Sequence, residues 1–180
     1  MKITNHEKDV LCVKYNRILL TGFMGSGKST IGRALSVRLG YPFVDTDALI
    51  EQNEGKSVAE LFKERGEMEF RTLEHRITYD LTRKTALVVS SGGGYILTNS
   101  VYQLAAGNFT IVYVDAPFEL CLGRIKQDST RPLAQGRTPE ELHALYESRN
   151  GIYQVRCDFK VDASKMLLSD IITDIISGIQ

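Results

Sequence analysis

The stretch RILLTGFMGSGKSTIGRAL, residues 17–35, decides the fold. An apolar run enters Gly22, and the chain then reads Gly22-Phe-Met-Gly25-Ser26-Gly27-Lys28-Ser29, the complete pattern G-x-x-x-x-G-K-[ST]. Apolar residues return at helical spacing as Ile31, Leu35 and Leu39, and Gly40 ends them. This order specifies a buried strand, a glycine turn and a helix. The glycines let successive backbone N–H groups converge on one concavity, and the helix opening near Ser29 adds its positive end, so the loop suits the phosphates of a nucleoside triphosphate. Gly25, Ser26, Gly27, Lys28, Ser29 and Thr30 then surround ATP phosphates; Lys28 reaches the β- and γ-phosphates, and the Ser29 hydroxyl serves as a ligand for Mg²⁺.

Further along, apolar runs recur as PFVDTD, ALVVSS, TIVYVDA and DFKVDA, separated by segments of helical period. Strand alternating with helix specifies an α/β fold with a parallel sheet covered on both faces. Ser57-Val-Ala-Glu60 and Thr138-Pro-Glu-Glu141 are capping boxes, and the second opens a helix running toward Tyr153. Between the helix near Arg124 and Thr138 lies the polar QDSTRPLAQGR, with Pro132 and Gly136 and no period of its own. It is expected to form a mobile lid at about 128–138. Residues 1–16 read as an N-terminal extension and 17–180 as a single P-loop domain.

The 22 basic residues balance the 22 acidic ones, so the chain as a whole lacks the electrostatic footprint of a nucleic-acid or acidic-membrane binder, and a small-molecule partner is expected. Cys12, Cys121 and Cys157 are widely spaced and form no C-x-x-C pair, which fits a reduced, cytoplasmic compartment. The first residues lack the unbroken apolar stretch of a signal peptide, and no run is long enough to span a bilayer.

Four constellations are candidates for the acceptor side. Asp45 and Asp47 follow an apolar strand and, if that strand persists, point the same way; one carboxylate could hold Mg²⁺ through water and the other accept a proton, or both could cap the helix ALIEQ, a part open to Asp47 in any case. Arg71 has Glu67 four residues before it and Glu74 three after, which describes either surface ion pairs or a guanidinium fork for a carboxylate, oriented from behind by Glu74. Gly92, Gly93 and Gly94 end a strand at the same sheet edge, where a substrate can lie against bare backbone. Arg131 in the lid could meet the transferring phosphoryl group while water is excluded. Arg149 is a further anion site or a solvated helix-face residue, and Arg124 either a surface residue or a planar group stacked on a base.

Taken together, GFMGSGKST, DTD, GEMEFRTLE, GGG, RPL and SRNGIY, in this order and at these separations, resemble shikimate kinase from about Arg17 onward. The resemblance implies a nucleoside-monophosphate-kinase-like, three-layer α/β/α fold with a five-stranded parallel sheet in the order 2-3-1-4-5. It implies transfer of the ATP γ-phosphate to the 3-hydroxyl of shikimate, on the route to chorismate and the aromatic amino acids, by a monomer. By the same resemblance Asp47 binds the shikimate hydroxyls as base or positioning group, and Asp45 holds Mg²⁺ through water beside Ser29, with Ser91 nearby. Arg71 and Arg149 clamp the carboxylate, Gly93 with its neighbours Gly92 and Gly94 meets the ring, Arg131 closes on ATP, and Arg124 flanks adenine. The family's R-x-P-L-Y appears here as Arg149-Asn-Gly-Ile-Tyr153, without the proline, and Ser91 stands where threonine is common. A gluconate kinase would share the loop but not the F-R-x-x-E helix with the triple glycine. A nucleoside-monophosphate kinase would need a further arginine cluster, and a GTP-operated switch an N-K-x-D segment; neither feature is found in the sequence.

Overall fold

Each apolar run becomes a strand in the computed structural model, which describes residues 16–126, 137–164 and 167–179. The strands are β1 (Arg17–Thr21), β2 (Phe43–Asp45), β3 (Leu87–Ser90), β4 (Thr110–Asp115) and β5 (Phe159–Asp162). They form one five-stranded parallel sheet in the order β2-β3-β1-β4-β5. β1 and β3 are buried throughout, as strands covered by helices on both faces must be, whereas the edge strands β2 and β5 are only partly covered.

The helices are α1 (Lys28–Leu39), α2 (Thr46–Glu54), α3 (Val58–Leu81), α4 (Asn99–Ala106), α5 (Phe118–Lys126), α6 (Pro139–Val155) and α7 (Leu168–Ile179), with a 3₁₀ turn at Tyr95–Leu97. α1 ends on Gly40 in the left-handed conformation, with the cap N–H bonded back to Ser36 and Val37 carbonyls. Both capping boxes form: Ser57 with Glu60 opens α3, and Thr138 with Glu141 opens α6. α3 is two helical segments joined at Gly66, whose φ of 78° and ψ of 175° break the helix before Glu67. The expected lid lies outside the described residues except for Arg137 and Thr138, and so do Arg131 and residues 1–15 of the extension. Among the described residues, no helix is long and apolar enough to cross a membrane.

Register turns these elements into a site. Leu20 and Asp45 both pair with Ser90, and Thr21 pairs with Tyr113, so the chain leaves β1, β2 and β3 at one edge of the sheet. From the neighbours β1 and β3 the chain departs in opposite directions, toward β2 and toward β4. That arrangement opens a crevice at the carboxyl ends of the strands.

α1 approaches the sheet closely at Gly32, where an added Cβ would lie 2.6 Å from the Phe43 ring and 3.3 Å from Leu20 Cδ1. Gly32→Ala is therefore expected to lower stability by about 1–2 kcal/mol, although alanine is the better helix former, because overpacking outweighs propensity here. Urea denaturation of the two proteins measures the difference.

Candidate active site

The loop between β1 and α1 curls as the glycines permit. Gly22, Gly25 and Gly27 have φ of 142°, 80° and 102°. Added Cβ atoms would lie 2.6 Å from the Val114 carbonyl at Gly22 and 2.6 Å from that of Cys121 at Gly25. Side chains are thus barred twice over, by conformation and by space. Inside the loop the Ser26 N–H donates to Phe23 O at 3.2 Å, and Lys28 Nζ donates to the same carbonyl at 2.8 Å. Ser26 Oγ is buried and has no hydrogen-bond partner among the described residues. A buried hydroxyl without a partner costs about 1–3 kcal/mol, which an anion seated in the loop would relieve.

Beside the loop, Ser29 Oγ donates to Asp45 Oδ2 at 2.9 Å and lies 3.1 Å from Ser90 Oγ. A hydroxyl and a carboxylate at this spacing are hard oxygen donors of the kind Mg²⁺ takes. Among the described residues no group of three or more His, Cys, Asp or Glu could hold a metal ion, so a Mg²⁺ at this pair would need further oxygen donors from a ligand or water. Ser91, expected nearby, lines the same cavity, but the hydroxyl beside Ser29 is another. Ser91 Oγ points into the sheet and donates to Leu20 O at 3.1 Å, while Ser90, one residue earlier, faces Ser29.

The acidic pair is also arranged differently from the strand reading. β2 stops at Asp45, which is the N-cap of α2 and accepts from the N–H groups of Asp47 and Ala48. Asp47 is not the cap; it stands in the first turn of α2, where the helix dipole favours its negative charge. Thr46, fully buried between them, accepts from Gly92 N–H at 3.1 Å and ties this turn to the triple glycine.

None of Gly92, Gly93 and Gly94 has positive φ, so the backbone does not require glycine there. Space does. A Cβ on Gly92 would lie 2.5 Å from Asp47 Oδ1, and one on Gly94 would lie 2.6 Å from Arg71 Nη2. Gly93 is more open: its Cβ would meet Met24 N at 3.5 Å and Arg149 Nη1 at 3.6 Å. The glycines form a bare ridge with a carboxylate against one end, a guanidinium against the other, and the phosphate loop alongside.

Arg71 is a fixed fork. Its Nη1 donates to Glu74 at 2.8 Å, and Nη2 and Nε donate to Glu67 at 2.8 and 3.2 Å. The Phe62 and Phe70 rings lie 5.9 Å from the guanidinium carbon. Of five guanidinium N–H groups, these bonds use three among the described residues and leave one on each terminal nitrogen, as a bidentate carboxylate site needs. The ion pairs of the motif form, with unequal surroundings: Glu67 is an exposed partner, and Glu74, 1% exposed, holds the guanidinium from behind. Burial raises the Glu74 pKa to about 7 despite Arg71, and Asp47 and Glu67 push the same way. Burial disfavours charge on Arg71 too, yet Glu74 and Glu67 together hold its pKa above the ordinary value.

Arg149 reaches Gly93 O from α6 at 3.5 Å, and Tyr153 OH donates to the same carbonyl. Burial raises the Tyr153 pKa to about 12, while Arg149 and Arg71 oppose the rise, so both arginines act on one hydroxyl. Arg124, exposed on α5, donates through Nη1 to Gly25 O at 3.0 Å. A cavity of about 680 Å³ joins the phosphate loop to the acidic turn and the first two glycines of the ridge, lined by residues 24–31, Asp45, Asp47, Ser91, Gly92, Gly93 and Arg124; Arg71, Gly94 and Arg149 are not among its lining residues. Glu51, Ala163, Leu168 and Ile171 also line it and were not foreseen; the last three come from the β5–α7 region, far away in sequence.

The shikimate kinase family model matches residues 24–180. A shikimate kinase of Persephonella marina is 37% identical over 163 residues, 91% of this chain and 98% of that protein. Among solved structures, the shikimate kinase from Acinetobacter baumannii in complex with shikimate superposes with a TM-score of 0.84 at 34% identity, covering 90% of this chain and 91% of that one. A gluconokinase from Sinorhizobium meliloti, at 20% identity and a TM-score of 0.55, shares the fold alone.

Glu74 makes stability depend on pH. Its folded pKa of about 7 lies above the ordinary 4.5, so the folded protein binds the proton more tightly than the unfolded chain. The resulting stabilisation is complete below pH 4.5 and is lost as pH rises through 7. Relative to Glu74→Gln, the wild type is expected to lose up to about 3 kcal/mol between pH 4.5 and 8, measured by urea denaturation across that range.

Proposed function

The chain belongs to the shikimate kinase family, and we propose that it transfers the γ-phosphoryl group of ATP to the 3-hydroxyl of shikimate across the bare ridge of Gly92, Gly93 and Gly94. That ridge is the observation that carries the reading. Shikimate is a cyclohexene ring with hydroxyls at one end and a carboxylate at the other, and the ridge has Asp47 at one end and Arg71 at the other. A ring lying on Gly93 would present its carboxylate to Arg71 and Arg149 and its hydroxyls to Asp47. The product, shikimate 3-phosphate, goes on toward chorismate and the aromatic amino acids.

Residue roles follow from position. The phosphate loop, with Lys28 and the N–H groups of residues 25–30, holds the ATP phosphates. Asp47 accepts a hydrogen bond from the attacking hydroxyl and takes its proton as the new P–O bond forms and ADP leaves. Mg²⁺, bound at Ser29 and through water at Asp45, would supply positive charge against the β- and γ-phosphates. Arg124, already anchored on the loop, flanks the base. Arg131 takes its part from the sequence alone, as a guanidinium for charge developing on the transferring group. We assign the work to a cytoplasmic monomer whose domain spans 17–180, on the balance of 22 basic and 22 acidic residues and the spacing of the cysteines.

ADP release from Mg²⁺-ATP, measured with shikimate, quinate, gluconate and nucleoside monophosphates in turn, tests the acceptor. Release that depends on shikimate is the expected result; ATP binding with no acceptor-dependent release would refute it. Asp47→Asn is expected to bind ATP as the wild type does and to lose turnover by a factor of about 100 or more. Unimpaired turnover in that variant would remove Asp47 from the reaction.

A further inference from the structure

Glycines that leave room for Asp47 and Arg71 have no side chains by which the ridge itself could be anchored. It is held through its backbone groups, the Gly92 N–H on Thr46 and the Gly93 carbonyl on Tyr153, and through the segment that follows it. That segment is the 3₁₀ turn Tyr95–Leu97, closed by Tyr95 N–H to Gly92 O at 3.1 Å and Leu97 N–H to Gly94 O at 3.1 Å. On one side Tyr95 OH lies 2.6 Å from Thr78 Oγ1, one turn beyond Glu74 on α3. On the other side stands Arg156, the C-cap of α6.

Arg156 Nη1 donates to Ile96 O at 2.6 Å and Leu97 O at 3.0 Å, Nη2 donates to Asn99 Oδ1, and the guanidinium carbon sits 4.7 Å from the Tyr102 ring centre. The carbonyls at the end of a helical turn have no partner within the turn, and α6 presents its own negative end at the same place, so one cation serves two helix ends. Arg149, Tyr153 and Arg156 are spaced at i, i+4 and i+7 along α6 and its cap, one stripe of the helix. Two of them meet Gly93 O and the third meets the turn's exit.

We propose that Arg156 is a positioning residue for the acceptor: it locks the exit of the 3₁₀ turn, and through it the height of the glycine ridge between Arg71 and Arg149. The proposal rests on the reading of that ridge as the acceptor's floor. The phosphate loop is held by its own bonds to Phe23 O, so loosening the turn acts on the acceptor side and spares ATP.

The experiment is steady-state kinetics of wild type, Arg156→Ala and Arg156→Lys with shikimate and ATP each varied, beside their melting temperatures. Arg156→Ala is expected to raise KM for shikimate about fivefold to tenfold while KM for ATP stays within about twofold, and Arg156→Lys to recover part of the loss because an ammonium still reaches the two carbonyls. An unchanged shikimate KM in folded Arg156→Ala overturns the proposal, as does a parallel rise in both KM values, which would mark general loosening. Should Arg156→Ala fail to fold, Asn99→Ala, which removes one arm of the fork, faces the same criterion with a smaller expected rise. A wild type that turns over no shikimate refutes the acceptor reading itself, a separate outcome.

Discussion

Backbone meets side chain without an intervening Cβ at two points, and the proposed acceptor half of the site depends on that closeness. Gly92 lies against the Asp47 carboxylate and Gly94 against the Arg71 guanidinium, each nearer than any side chain would allow. The two functional groups can therefore face one floor from opposite ends of a short peptide. Were that floor built of alanines, Asp47 and Arg71 would both have to move. Much of the surrounding structure serves the same closeness: Thr46 holds the Gly92 N–H, Tyr153 and Arg149 hold the Gly93 carbonyl, and Arg156 holds the turn beyond.

The electrostatics of this half are set by burial as much as by charge pairing. Glu74 is enclosed beneath Arg71, and desolvation brings it to the edge of neutrality at physiological pH. Its hydrogen bond keeps the guanidinium aligned, while burial opposes the full negative charge that would cancel the charge of Arg71. Arg71 is thereby oriented before any ligand arrives, with aromatic rings of Phe62 and Phe70 beside it, and little side-chain freedom remains to be lost on binding.

Two details show where pattern reading reaches its limit. A strand alternates its side chains, so Asp45 and Asp47 would share a face if β2 continued; instead β2 stops at Asp45, which caps α2 and leaves Asp47 to the first helical turn. Ser90 and Ser91 are adjacent hydroxyls at a strand end, and sequence cannot say which faces Ser29. The register of β3 against β1 and β2 decides in favour of Ser90. Arg156 carried no signal either, since an arginine at a helix end is ordinarily solvated, and its partners are carbonyls roughly 60 residues away in the chain.

By itself the sequence determined whatever depends on local chemistry: the phosphate loop with its strand and helix, the capping boxes that open α3 and α6, the alternation that specifies a parallel sheet, and the identity of the charged groups. Such features follow from backbone conformation and hydrogen bonds within a few residues of one another, so their residue types carry the information. The tertiary structure alone decided why Gly92 and Gly94 must be glycine, which serine stands beside Ser29, that Asp45 rather than Asp47 caps α2, and that Ala163, Leu168 and Ile171 line the cavity. Each of these is a contact between segments distant in the chain, fixed by strand register and helix packing, and close approach in space leaves no periodic mark on the residues that make it.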